Sequence, residues 1–179
     1  MSNLEAVVAR FLDGDAAAFQ EVVDLTSARL VRLSARMLGN VADAEDVVQE
    51  AYVKAYRSLQ DGQFDRRAKV ETWLYRIVVN ATIDARRKRA RRVPSVDVEQ
   101  DEVALPEEGQ SSAEARLALN ELSGWLSELP PDQQAALVLK AVEGRESSEI
   151  AEILGCSEGA VEQRLVRARA ALRQRRSES

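Results

Sequence analysis

Arg164 and Arg167 stand one helical turn apart in the stretch ESSEIAEILGCSEGAVEQRLVRARAALR, Glu146 to Arg173, with Gln163 beside them. Guanidinium groups at this spacing can hold phosphates or read guanine by a bidentate contact, and a glutamine can read adenine. The surrounding residues supply a scaffold. Ala151 lets two helices approach closely, Gly155 sits where the chain must reverse, and Ser157 can cap the second helix. Val161, Leu165, Ala168 and Leu172 then fall on one face and leave Arg164 and Arg167 nearer the other. This is a helix-turn-helix pattern, whose second helix enters a DNA major groove; a plain helical hairpin is the simpler alternative. A second group of cations, Arg86, Arg87, Lys88 and Arg89, lies in ARRKRARR, Ala85 to Arg92. Cations suit a helix C-terminus, but six in the seven residues 86–92 exceed what capping needs.

Other chemistries are excluded by residue type. The chain of 179 residues has no histidine and one cysteine, Cys156. Ser-His-Asp and Cys-His catalysis, His-ligated metals, internal disulfides and multi-cysteine zinc sites are ruled out. No Gly-rich phosphate loop is present, and no metal or cofactor is expected. No apolar run approaches the ~18 residues of a membrane span, so no membrane insertion and a cytoplasmic location are expected.

The net charge of −5 conceals a pattern. Residues 66–92 carry ten basic and two acidic side chains, and residues 157–179 six and three; residues 93–122 carry one and eight. Two basic islands therefore sit in an acidic chain, and DNA binding needs only such local concentration.

Hydrophobic spacing is helical throughout, so the fold class is all-α: two small helical domains joined by a flexible acidic linker. Leu4 to Leu12 forms a short helix closed by Asp13-Gly14. A second helix runs from about Ala16 to Leu38 and ends at Gly39-Asn40. Asp43 can cap a third helix, with Ala44, Val47, Val48, Ala51, Tyr52, Ala55 and Leu59 as its apolar stripe. The polar positions Glu45, Asp46, Gln49 and Glu50 suit either the helix dipole or a partner surface. After a polar loop, Gln60 to Lys69, a fourth helix runs from about Val70 to Arg92. Leu74, Ile77, Val78 and Ala81 are its expected core face, and Trp73, Ile77, Asn80 and Asp84 trace a second stripe near Arg76. The N-terminal domain spans 1–92, the Pro- and acid-containing linker 93–111 and the C-terminal domain 112–179. At the junction of linker and C-terminal domain, Ser111 and Glu114 have capping-box spacing. Leu119, Leu122, Leu126 and Leu129 mark a helix stopped by Pro130, and Pro131 starts one reaching about Val142 before Gly144.

Three segments together resemble one family. DAEDVVQEAYVKAY, Asp43 to Tyr56, resembles the core-polymerase-binding helix of bacterial sigma factors of the extracytoplasmic-function type. TWLYRIVVNATIDARRKR, Thr72 to Arg89, resembles their promoter-melting segment. LPPDQQAALVLKAVEG with the helix-turn-helix resembles their C-terminal DNA-reading domain. The resemblance covers about residues 5–92 and 112–176. It implies a protein without catalytic activity that binds core RNA polymerase and promoter DNA, with an anti-sigma factor as a further partner. It places Asp43, Glu45, Asp46, Gln49 and Glu50 at the polymerase clamp helices. Trp73, Arg76, Asn80, Asp84, Arg86, Arg87, Lys88 and Arg89 would serve minus-ten recognition and melting. Ser157, Glu162, Gln163, Arg164 and Arg167 would serve the minus-thirty-five element. Opening a promoter requires a base held out of the stack, for which Asn80 offers donor and acceptor groups. Trp73 is a stacking candidate or a core residue, and the 60–69 loop can close such a pocket. The family often has Lys-Ser-Arg after Val161; here Glu162, Gln163 and Arg164 stand there. Glu162 could accept from cytosine N4, or be a solvent-facing acid paired with a nearby arginine. Cys156 fills an apolar position of the turn, with redox sensing as the alternative. A DNA-binding regulator that never engages core polymerase is the competing reading of the whole chain.

Overall fold

The computed structural model describes residues 3–92 and 122–178, all helices and short connections, with no strand among them. In chain order these are α1 (Asn3–Leu12), α2 (Ala18–Leu38), α3 (Val41–Gln60), α4 (Val70–Arg92), α5 (residues 122–128), α6 (Pro131–Ala141), α7 (Ser147–Leu154) and α8 (Glu158–Glu178). The all-α expectation holds. The linker 93–111, the Ser111–Glu114 capping box and Leu119 lie outside the described residues.

The N-terminal half is built around α2, α3 and α4. α1 buries Leu4, Val7, Val8 and Phe11, spaced to share one face. Phe11, Phe19 and Tyr56 meet tilted or edge-on, with ring centroids 5.1 to 5.7 Å apart. Each such pair contributes about 0.5–1.5 kcal/mol beyond its buried area. α2 begins at Ala18, two residues later than its apolar pattern suggests. Arg10 holds the Asp15 carboxylate at 2.7 Å, fixing the chain in a turn there. That hydrogen bond keeps the Asp15 carboxyl below the usual aspartate value. α2 ends as expected at Gly39, whose φ of 73° is left-handed.

Two expectations in this half are corrected. Asp43 does not cap α3; Asn40 does, its Oδ1 accepting from the Asp43 N–H at 2.8 Å. Asp43 lies in the first turn, where a carboxylate still suits the dipole. The core face of α4 is also wider than expected. Val70, Leu74, Tyr75, Val78, Val79 and Ile83 are buried, whereas Ile77 and Ala81 are only half-buried. The reason is tertiary. α4 packs on α2 and α3 and is also covered by α6 and α7, so a broader arc leaves water.

In the C-terminal half, Pro131 starts α6, and Gly144 (φ 65°) turns the chain after it. α7 carries a capping box that the sequence pattern does not advertise: Glu146 and Glu149 each accept from the other's backbone N–H. Gly155 ends α7 in the left-handed region, as expected. Ser157 caps α8, its Oγ accepting from the Ala160 N–H at 3.2 Å. Val161, Leu165 and Ala168 are buried and Leu172 half-buried, so α8 packs by the face expected. Nothing in the sequence pattern predicts contact between the halves. Here α6 and α7 rest directly on α2 and α4.

Candidate nucleic-acid interface

The expected polymerase-facing side chains form an open surface on α3. Asp43, Glu45, Asp46, Gln49 and Glu50 are all exposed. Val53, one turn further along, is 47% exposed among them, and Val41 is 40% exposed at the helix start. Sequence reasoning missed both valines. Their signal is phase: each lies off the stripe set by Ala44, Val48, Ala51 and Ala55. A branched apolar residue in water beside charges is what a protein contact buries.

α4 presents its residues unequally. Trp73 is half-buried and packs on Phe64 of the preceding loop, centroids 4.9 Å apart, so it works partly as core. Arg76, Asn80 and Asp84 are exposed. The loop over residues 61–69 closes a hollow of about 350 Å³ with α1, lined by Val8, Leu12, Phe64, Arg66, Arg67 and Lys69 among others. Asn80 is not among the residues lining it. Within the loop Arg66 adopts φ 58°, a region costly for a residue with a Cβ.

The basic end of α4 is largely engaged by protein. Arg86 donates to the Leu129 carbonyl at 2.7 Å, and also to the Ser127 carbonyl and Gln134 Oε1. Burial pulls its pKa down. Arg87 meets Asp132 at 2.8 Å and Asp84 at 3.8 Å. Arg89 meets Asp43 at 3.2 Å, joining the end of α4 to the start of α3. Lys88 is exposed. In this arrangement Arg86, Arg87 and Arg89 are thus not a free phosphate-binding row.

α8 contrasts with this. Gln163 and Arg167 are exposed. Arg164 is half-buried, and its Nη1 donates to Cys156 Sγ at 3.1 Å. Glu162 is exposed and, among the described residues, no arginine pairs with it; Ser147 Oγ donates to its Oε1 at 2.5 Å, bridging α7 and α8. That contact corrects the arginine-paired version of the solvated-acid reading. Val166 is 63% exposed near Arg167, and sequence reasoning missed it. An exposed methyl-bearing side chain on a groove-facing helix suits a thymine methyl. The arrangement as a whole can bind polyanions and protein surfaces. Among the described residues, no group of three His, Cys, Asp or Glu side chains could hold a metal. No described helix is long and apolar enough to cross a membrane.

Comparison with known proteins bears on both halves. Residues 22–92 match the family model described as Sigma-70 region 2, and residues 119–172 the one described as Sigma-70, region 4. The ECF RNA polymerase sigma factor SigW of Bacillus subtilis (strain 168) is 37% identical over 172 residues, covering 89% of each chain. Among solved structures, CnrH in complex with the cytosolic domain of CnrY is similar with a TM-score of 0.70 and 28% identity, covering 97% of each chain. The sigma factor RpoE of Bartonella quintana, in complex with the anti-sigma factor NepR, is similar with a TM-score of 0.67 and 27% identity. That likeness covers 87% of this chain and 94% of the other.

Proposed function

Because this chain belongs to the sigma-70 family, among the ECF RNA polymerase sigma factors, we propose a division of its work between the two helical halves. Residues 1–92 bind core polymerase and read and melt the minus-ten element. Residues 93–111 link the halves, and residues 112–179 read the minus-thirty-five element. The protein acts in the cytoplasm, has no catalytic activity of its own, and is restrained by an anti-sigma factor.

Asp43, Glu45, Asp46, Gln49 and Glu50 meet the polymerase, and Val53 adds the apolar contact that such an acidic face lacks. Asn80 holds the flipped base, with Trp73 braced by Phe64 beside it. Arg76 and Asp84 flank that site, while Lys88 holds phosphate as it stands, Arg86 and Arg87 do so once the halves are apart, and Arg89 does so once it leaves Asp43. Ser157, Gln163, Arg164 and Arg167 fix and read the minus-thirty-five duplex, with Glu162 set by Ser147.

The observation that carries this reading is the exposed acidic face of α3, with Val53 in its midst, on the same chain as a basic helix-turn-helix. A regulator that never engaged polymerase would have no use for it. The test is run-off transcription with purified core polymerase and chains carrying Asp46→Lys and Glu50→Lys. Loss of the promoter-specific transcript with normal helicity is expected, since exposed helix positions cost little stability. An undiminished transcript would remove α3 from the polymerase interface.

A further inference from the structure

Among the described residues, no carboxylate pairs with Arg169, Arg173 or Arg176 of α8, and all three side chains are exposed. They stand four and three residues apart and so share one face over two turns, roughly 10 Å along the axis. Three cations in such a row repel one another. Arg175, next to Arg176, is held differently: it pairs with Glu128 and, at 3.8 Å, with Glu178.

The helix end does not account for the row. Cations suit a last helical turn, but the effect of the dipole falls off beyond it. Arg175 and Arg176 lie in that turn, whereas Arg169 and Arg173 precede it. Nor does α8 offer the row a partner of its own, since no Asp or Glu stands three or four residues from any of its members.

Position around the helix gives the row a use. Val161, Leu165 and Ala168 are buried against the rest of the domain. Gln163, Val166 and Arg167 are exposed roughly half a turn round from them. Arg169, Arg173 and Arg176 lie between these two faces, about a quarter turn from the buried one. A helix is roughly 10–12 Å across and the major groove about 12 Å wide, so the helix fills the groove. With its buried face toward the protein and the opposite face toward the base edges, each flank looks at one wall of the groove. Each wall is the sugar-phosphate backbone of one strand. α8 has 21 residues, roughly 31 Å, which carries the row past the base-reading turns at its N-terminal end.

We propose that Arg169, Arg173 and Arg176 form a phosphate clamp, gripping one strand beside the minus-thirty-five element and setting how α8 sits in the groove. Such contacts fix register and orientation and carry no sequence information. Duplex DNA is the occupant because the row continues along the helix that carries Gln163 and Arg167. This role rests on the minus-thirty-five reading given above to residues 112–179.

The test is phosphate ethylation interference, in which one phosphate at a time is neutralised. Holoenzyme is assembled from core polymerase and either the full chain or its Arg169→Gln, Arg173→Gln, Arg176→Gln variant. The probe is a duplex that the wild-type holoenzyme selects from a random library. Glutamine removes the charge and keeps helix propensity. With the wild-type chain, a block of phosphates on one strand beside the minus-thirty-five element is expected to interfere. With the variant that block should fall silent while the other interfering positions and the preferred bases stay. The salt dependence of affinity should flatten by roughly 0.9 in logarithmic slope for each phosphate lost. Arg173→Gln alone should silence the middle of the block. The same pattern in wild type and variant would overturn the clamp even if binding weakened, because a lower net charge acts on every position alike. It would leave the row to an acidic protein partner. A wild-type pattern with nothing at the minus-thirty-five element would instead remove the DNA-reading role of the C-terminal half, and the clamp with it.

Discussion

The basic stretches of α4 and α8 have similar chemistry and different circumstances. On α4, Arg86, Arg87 and Arg89 are tied to carbonyls and carboxylates, and Arg86 is half-buried. On α8, Gln163, Arg167 and Arg169 face water, and Val166 stands exposed among them. Net charge marks both stretches simply as basic. A guanidinium, however, has five donors in a fixed plane, and what those donors already meet decides whether the group is structure or binding surface. The α4 island is an interface in use; the α8 island is a surface waiting for one.

The largest effect expected concerns what holds the α8 island in place. Leu165 is 1% exposed in the packing of α8. Leu165→Ala should cost about 2–5 kcal/mol of stability. Denaturant unfolding should show that loss, and minus-thirty-five binding should go with it. A loss under ~1 kcal/mol would mean that α8 does not depend on its buried face.

A direct comparison of the islands comes next. Arg86→Ala leaves the Leu129 and Ser127 carbonyls and the Gln134 amide without their donor, at about 1–3 kcal/mol. Arg167→Ala removes only an exposed side chain and should stay within about 0.5 kcal/mol. Equal melting shifts for the two would dissolve the contrast between them.

DNA binding by the holoenzyme should show the contrast in reverse. Arg87→Ala with Lys88→Ala should flatten the dependence of promoter affinity on salt, by roughly 0.9 in logarithmic slope for each phosphate no longer neutralised. Replacing a base reader among Gln163, Arg164 and Arg167 should instead relax preference at one promoter position, by about 1–3 kcal/mol. A site selection on Glu162→Lys would sharpen this. A new preferred sequence marks Glu162 as a base reader, and a uniform gain marks it as a carboxylate held by Ser147 for packing.

The smallest effect is one of pH. The Glu149 carboxyl is held below its ordinary value of 4.5 by the Glu146 N–H and, secondarily, by Arg145. Its folded pKa is depressed, so its contribution is present above the unfolded value and is lost as pH falls through the folded one. The side chain is partly exposed, which limits the contribution to a few tenths of a kcal/mol. Glu149→Gln should lower stability at neutral pH by that amount and leave it unaffected well below pH 4.5.

Much was legible because it depends on local spacing. The all-α class followed from helical periodicity, the helix-turn-helix from Ala151, Gly155, Ser157 and Val161, and the end of α2 from Gly39. Each rests on interactions within a few residues, and such interactions are written in neighbouring letters. The capping of α3 by Asn40 rather than Asp43 shows the limit even there, since two capping residues three apart compete and only the helix start chooses between them. The family, too, was carried by motifs in order along the chain. Tertiary structure alone decided the rest. It decided that Val79, Tyr75 and Ile83 of α4 are buried, because a second layer of helices covers that side. It decided that Glu162 meets Ser147 across fifteen residues, and Arg86 meets Leu129 across forty-three. It also brought Glu143 and Arg145 to Arg29, Glu71 and Tyr75. Periodicity tells a residue which side of its own helix it is on, but not what stands opposite, and a charge is neutralised only by what stands opposite.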